Sequence, residues 1–200
     1  GNANLGVLGF TKHSIGHATK VSDTAATILE ELDYPARTVE LARIAGYMHD
    51  IGNCVNRTDH AHNGAIMAMT ILRDMGMKPD EIATVIAAIG NHDEKTGTAV
   101  DAVSAALILA DKTDVRRNRV RGRDQTKFDI HDRVNFAAIS SELHMDQEKR
   151  QITLDIQLDD GICSVLDYFE IFLERMLMCR RAAKMLGCSF KLKANGSKVL

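Results

Sequence analysis

The chain has no tryptophan, and aromatic residues make up only 4% of its 200 residues. A core without large rings must be filled by Ala, Leu, Ile, Val and the 9 methionines, which suits helix packing better than a β-sandwich. No apolar run approaches the roughly 18 to 20 residues of a membrane span, so no membrane partner is expected. The opening stretch GNANLGVLGF lacks the basic region and long apolar segment of a secretory signal. The cysteines Cys54, Cys163, Cys179 and Cys188 form no C-x-x-C pair. Reduced thiols in a cytoplasmic protein are therefore expected in preference to disulfides or a zinc knuckle. A charge excess of either sign is missing too: 25 basic and 27 acidic residues leave a net charge of −2. So near neutrality, no whole-molecule field points to nucleic acid. Internal repeats and low-complexity segments are also absent.

What is present is helical periodicity. Apolar positions from Ile15 to Leu32 share one helical face. Pro35 opens a second helix, about Ala36 to Ile51, for which Gly52 is a C-terminal stop. Asp59 can cap a third, His60 to Met75, ended by Gly76. Pro79 starts a fourth, which ends near Gly90, and Thr98 can cap a fifth, which carries Val100, Val103, Leu107 and Ile108. After Asp114 the texture changes to an arginine-rich connection, RRNRVRGRD. VNFAAISSELHM and QITLDIQL then predict a hairpin around the turn DQEKR. A long amphipathic helix, about Ile162 to Leu186, and a last short strand in CSFKLKA follow. The expected class is mainly α. A helical domain covers residues 1–120, and a small α+β appendage, an antiparallel hairpin plus a long helix, covers 121–200. The appendage is expected to pack on the helical domain or to form an oligomer interface, so a homodimer is among the candidate partners.

Six of the eight histidines precede residue 93. His17 lies near the start of the first helix, and His49 with Asp50 near the end of the second. His60 opens the third, His92 follows the fourth, and Asp111 closes the fifth. Residues at helix ends can converge on one concavity while the apolar faces stay buried. Imidazole with carboxylate suits Fe, Mn, Co, Ni or Zn, whereas all-oxygen sites suit Mg and Ca. A carboxylate has two oxygens and can bridge two ions about 3.5 to 4 Å apart, an arrangement suited to phosphoester hydrolysis.

The segments HATKVSDTA, GYMHDIGN, DHAHNGAIMA, AAIGNHDEKTG and LILADKTD, in that order, resemble the HD superfamily of metal-dependent phosphohydrolases across roughly residues 13 to 115. The extra histidines resemble the branch that binds two metals. The resemblance implies an HD-type helical bundle and divalent metal cofactors, two in number. His17, His49, Asp50 and Asp111 would hold one ion. His60 and His92 would hold the second, with Asp50 bridging. It further implies a small phosphorylated substrate, such as a nucleotide, attacked by a hydroxide held between the metals. Lys112, Arg57 and Arg116 are placed by position and charge to stabilise the anionic substrate.

Two departures stand out. Many members read H-D-I-G-K, with a lysine that helps bind phosphate, whereas this chain has Asn53. The glycine-tyrosine-proline signature of the cyclic-dinucleotide branch is missing. His60 and His62 compete for one role, and the family's spacing to Gly64 selects His60. His13 is either a support for His17 or a surface residue. The second His-Asp dipeptide, His131 and Asp132, is rejected for want of neighbouring ligands, and His144 is read as structural. Met67, Met69, Met75 and Met77 are read as core filler. The run Arg116, Arg117, Arg119, Arg121 and Arg123 is either a solvated connection or a source of phosphate contacts. A non-catalytic, nucleotide-binding regulatory module is the alternative function, and a di-iron oxygenase is a third.

Overall fold

The computed structural model describes residues 14–120 and 130–199, and the side chains within these except those of residues 130 and 131. His13, Arg121 and Arg123 therefore lie outside the described residues, as does the side chain of His131. Five helices form the first part: α1 (Ile15–Glu31), α2 (Ala36–Met48), α3 (His60–Asp74), α4 (Pro79–Gly90) and α5 (Ala102–Lys112). α5 is buried from Val103 to Lys112 and packs against α1, α2 and α4. After a short 3-10 turn (Arg117–Arg119) come α6 (Ile130–Ala137), β1 (Ala138–Asp146), β2 (Gln151–Leu158), α7 (Val165–Met185), β3 (Ser189–Ala194) and β4 (Ser197–Lys198). The fold is thus mainly α with a small C-terminal sheet.

The strands run in the order β1-β2-β3-β4. β1 and β2 form the expected antiparallel pair, with Leu143 opposite Leu154. β3 lies parallel to β2, with Leu154 opposite Leu192. A parallel neighbour needs a crossover, and α7 provides it. α7 packs on both β3 and α5. One apolar cluster consequently runs from Leu29 and Leu107 through Phe172 and Met176 to Ile152 and Leu192.

Several local expectations need correcting. α2 stops at Met48, and Ile51–Cys54 is a separate 3-10 turn, so Gly52 is no helix stop. Its reason is close packing: a Cβ there would lie 2.0 Å from His60 O and 2.5 Å from Gly64 N. Asp59 occupies the N-cap position of α3 but is left-handed (φ 58°) and makes no side-chain cap bond. α5 is capped by Asp101, in a reciprocal box with Ser104, and not by Thr98, which leaves Val100 exposed outside the helix. VNFA is helical and not strand, because Val134 and Ala137, three apart, both turn inward. Met69 and Met75 are exposed, because the buried stripe of α3 runs His60, Ala61, Gly64, Ala68, Leu72 and bypasses them. His144 is on β1 and largely exposed, 3.6 Å from Glu142. Among the described residues, no helix is long and apolar enough to cross a membrane.

Candidate metal centre

Helix ends deliver the side chains to one place. His17 comes from the first turn of α1, His49 and Asp50 from the end of α2, His60 from the start of α3, His92 from just beyond α4, and Asp111 from the last turn of α5. His17, His49, His60 and His92 are all 2% exposed or less. Gly52 and Gly64 allow the 3-10 turn after Asp50 to lie directly on the first turn of α3, which sets His60 beside Asp50.

Each imidazole is oriented by its Nδ1. His49 Nδ1 donates to Gly46 O at 2.7 Å, His60 Nδ1 to Arg57 O at 3.1 Å, and His92 Nδ1 to Ile89 O at 2.6 Å. A carbonyl can only accept, so Nδ1 carries a proton and Nε2 is the nitrogen left to face the cluster. His17 Nδ1 lies 2.7 Å from the carboxylate of Asp114. The four Nε2 atoms face one another and two carboxylates. His17 Nε2 is 3.3 Å from Asp111 Oδ1 and 3.7 Å from Asp50 Oδ2. His49 Nε2 is 3.4 Å from Asp50 Oδ2 and 3.6 Å from Asp111 Oδ1. His60 Nε2 is 3.8 Å from Asp50 Oδ1 and 3.1 Å from His92 Nε2.

The last contact is informative. Burial, followed by the charge of Arg57, pushes His60 below its ordinary value, and burial, followed by the charge of His49, pushes His92 down to about 3. Both rings are thus shifted towards the neutral form, and with each Nδ1 proton given to a carbonyl the two Nε2 lone pairs face each other at 3.1 Å. That arrangement repels unless a cation lies between. At His49, burial is the largest influence and would lower the value, but Asp50 and Asp111 together raise it to about 10. The position demands positive charge. Asp111 is held well below the usual carboxylate range: burial opposes this, and Lys112, His17 and His49 outweigh it. Imidazoles tethered through Nδ1, with Nε2 turned onto carboxylates, fit a divalent metal. Two overlapping groups have ligand atoms within 4.8 Å of one another: His17, His49 and Asp111, and His49, Asp50 and His92.

Of His60 and His62, it is His60 that the structure brings to the cluster. His62 is exposed, and its Nδ1 lies 3.9 Å from Asp59 Oδ1. Lys112 reaches Asp111 Oδ2 at 2.7 Å. Arg57 is 3.5 Å from Asn53 Oδ1. Arg116 faces Asp114, with Nε 2.6 Å from Oδ1 and Nη2 2.9 Å from Oδ2. Asn53 is buried and donates to Asp50 Oδ1 at 2.8 Å.

Three residues here were not anticipated. Asp114 is wholly buried and joins His17, Arg116, Arg119 and Lys20. The one sequence signal for it was its place three residues after Asp111 in LILADKTD. Glu94 bonds Arg175 of α7 at 2.7 Å and lies 3.7 Å from Lys112. No local pattern pairs residues so far apart. A cavity of about 410 Å³ opens between α1 and β1, and it meets the cluster only through Asp114.

The family model described as "HD domain" matches residues 14–170. No curated protein matches the chain.

Proposed function

Because this chain belongs to the HD domain family, whose members are generally metal-dependent hydrolases, we propose that it hydrolyses a phosphoester, of a nucleotide or a related phosphorylated small molecule. The observation that carries this reading is the set of four buried imidazoles, each held at Nδ1, with Nε2 of His17, His49 and His60 turned onto Asp50 or Asp111 and that of His92 onto His60. We assign His17, His49, Asp50 and Asp111 to one divalent ion and His60 and His92 to a second. Asp50 turns Oδ2 towards His17 and His49 and Oδ1 towards His60, which supports a bridging role. The ligand types admit Fe, Mn, Co, Ni or Zn. Bound divalent ions supply Lewis acidity and lower the pKa of coordinated water.

The residues themselves set the charge of the site. The carboxylates of Asp50, Asp93, Glu94, Asp111 and Asp114 stand against the cations of Lys20, Arg57, Lys112, Arg116, Arg119 and Arg175, five against six. Two divalent ions therefore leave a positive surplus that an anionic phosphoester neutralises. Lys112 holds Asp111 in place, and Arg57 lies beside Asn53 on the His60 side. In this reading residues 1–120 are the metal-binding domain and 121–200 an appendage whose outer strand β1, with Ile139 exposed, supports homodimer formation. A cytoplasmic location with reduced thiols belongs to the same reading.

The test is metal analysis and a nucleotide and phosphoester screen on protein purified without chelators, supplemented with Mn, Co, Ni, Fe or Zn. Turnover that vanishes in His49→Ala is expected. A fully metallated sample that turns over nothing would sink the proposal. Asn53 favours the second reading, a nucleotide-binding regulatory module: its amide engages Asp50 Oδ1 at 2.8 Å, where many members of the family carry a phosphate-binding lysine. Tight nucleotide binding without hydrolysis would favour that module.

A further inference from the structure

Arg175 belongs to α7, outside the five helices that supply the candidate metal ligands. It nevertheless ends beside the metal cluster. Its Nε donates to Glu94 Oε1 at 2.7 Å, the same oxygen lies 3.7 Å from Lys112 Nζ, and Lys112 Nζ is 2.7 Å from Asp111 Oδ2. The guanidinium carbon sits 4.1 Å above the centre of the Phe172 ring, which is buried. One edge of the guanidinium is thus fixed by Glu94 and one face by Phe172. Neither Nη nitrogen has a hydrogen-bond acceptor among the described residues, and the side chain keeps 20% of its surface open to solvent.

An arginine that served only to tie α7 to the loop after His92 would be expected to lay its fork on the carboxylate. This one spends Nε alone and keeps its two terminal nitrogens available, in a plane that is already set. Such a fork matches the oxygens of a phosphoryl group, and the ordering that binding would require has been done in advance. We propose that Arg175 binds a phosphoryl oxygen of the substrate, so that α7 contributes the oxyanion contact that Asn53 does not provide. Glu94 acts as its positioning residue. The inference rests on the phosphohydrolase reading for the identity of the substrate.

The test uses the full chain loaded with Mn. Inorganic phosphate is titrated calorimetrically into wild type, Arg175→Gln and Arg175→Lys, with metal content measured on each sample. KM and kcat are measured on whichever phosphoester the wild type cleaves. Arg175→Gln should weaken phosphate roughly 10- to 100-fold and raise KM by a similar factor, with kcat and metal content little changed. Arg175→Lys keeps the charge but loses the fork, so it should recover only part of the affinity. Wild-type phosphate affinity in Arg175→Gln would overturn the assignment, as would a wild type that binds no phosphate. Should Arg175→Gln fail to fold, unchanged affinity in Arg175→Lys would have the same consequence. Arg175-dependent phosphate binding without any turnover would uphold this assignment and defeat the hydrolase reading. Turnover indifferent to Arg175 would do the reverse.

Discussion

Replacing Asp114 with asparagine probes how the cluster is held. The carboxylate is wholly buried: its Oδ2 is 2.7 Å from His17 Nδ1, and its Oδ1 is 2.6 Å from Arg116 Nε and 3.3 Å from Lys20 Nζ. Arg119 Nη1 also donates to its backbone carbonyl at 3.0 Å. An amide of the same shape can still offer an oxygen to His17, but it leaves three cations around a neutral group. Breaking a buried charge pair typically costs 3 to 5 kcal/mol, and Arg116 and Lys20 are partly solvated, so about 3 kcal/mol is expected. For a chain of this length that corresponds to a fall in Tm of roughly 6 to 12 °C. Losing the partner that orients His17 should also weaken metal binding roughly 10- to 100-fold. Differential scanning calorimetry and metal titration read the two effects separately.

The pH dependence of Asp114 has a definite sign. Burial would raise the Asp114 value, but the hydrogen bonds from His17 and Arg116 and the charge of Arg119 drive it far below the usual range. A carboxyl depressed on folding contributes stability above its unfolded value of about 4, and loses it as pH falls towards the folded one. The Tm gap between wild type and Asp114→Asn should hold steady above about pH 5 and shrink in acid. A variant with unchanged Tm and metal affinity, or a gap that widens in acid, would refute the reasoning.

Gly52→Ala should lower Tm and metal content together, because the new Cβ would meet backbone atoms, His60 O at 2.0 Å and Gly64 N at 2.5 Å, and overpacking costs about 1 to 3 kcal/mol or more. Thermal melts with elemental analysis check this, and an unaltered variant would contradict the close packing. His49 has a folded value of about 10 against 6.5 unfolded. The metal-free protein should therefore keep this contribution below about pH 6.5 and lose it as pH rises through about 10, while the metal-loaded protein keeps its Tm across that window. Melting curves of the two forms across that range would expose a wrong sign. His60→Ala should reduce bound metal, and His62→Ala should leave it unchanged. Equal metal content in both variants would remove His60 from the cluster.

The helices were legible because their signals are local. An apolar repeat of three or four residues, a proline at a first turn and a glycine after a last turn act within one element. Hence α1, α4 and the ends of α3 and α7 lie close to their expected bounds. Errors arose where a local signal had a competitor. Thr98 is a good cap, but Asp101 with Ser104 is better placed. VNFA is strand-like in composition but is helical where Val134 and Ala137 must turn inward. β3 could not be paired from sequence, since its parallel partner β2 lies across the whole of α7.

The same division applies to the candidate metal centre. By itself the sequence determined which side chains stand at the helix ends, because residue type and helical period are written along the chain. His17, His49, Asp50, His60, His92 and Asp111 follow from that. The tertiary structure decided how those side chains are held and charged. His17 meets Asp114 across 97 residues, and Glu94 meets Arg175 across 81. Such contacts depend on how α1, α5 and α7 pack, and so do the burial that lowers both His49 and His92 and the carboxylates that outweigh it at His49 alone.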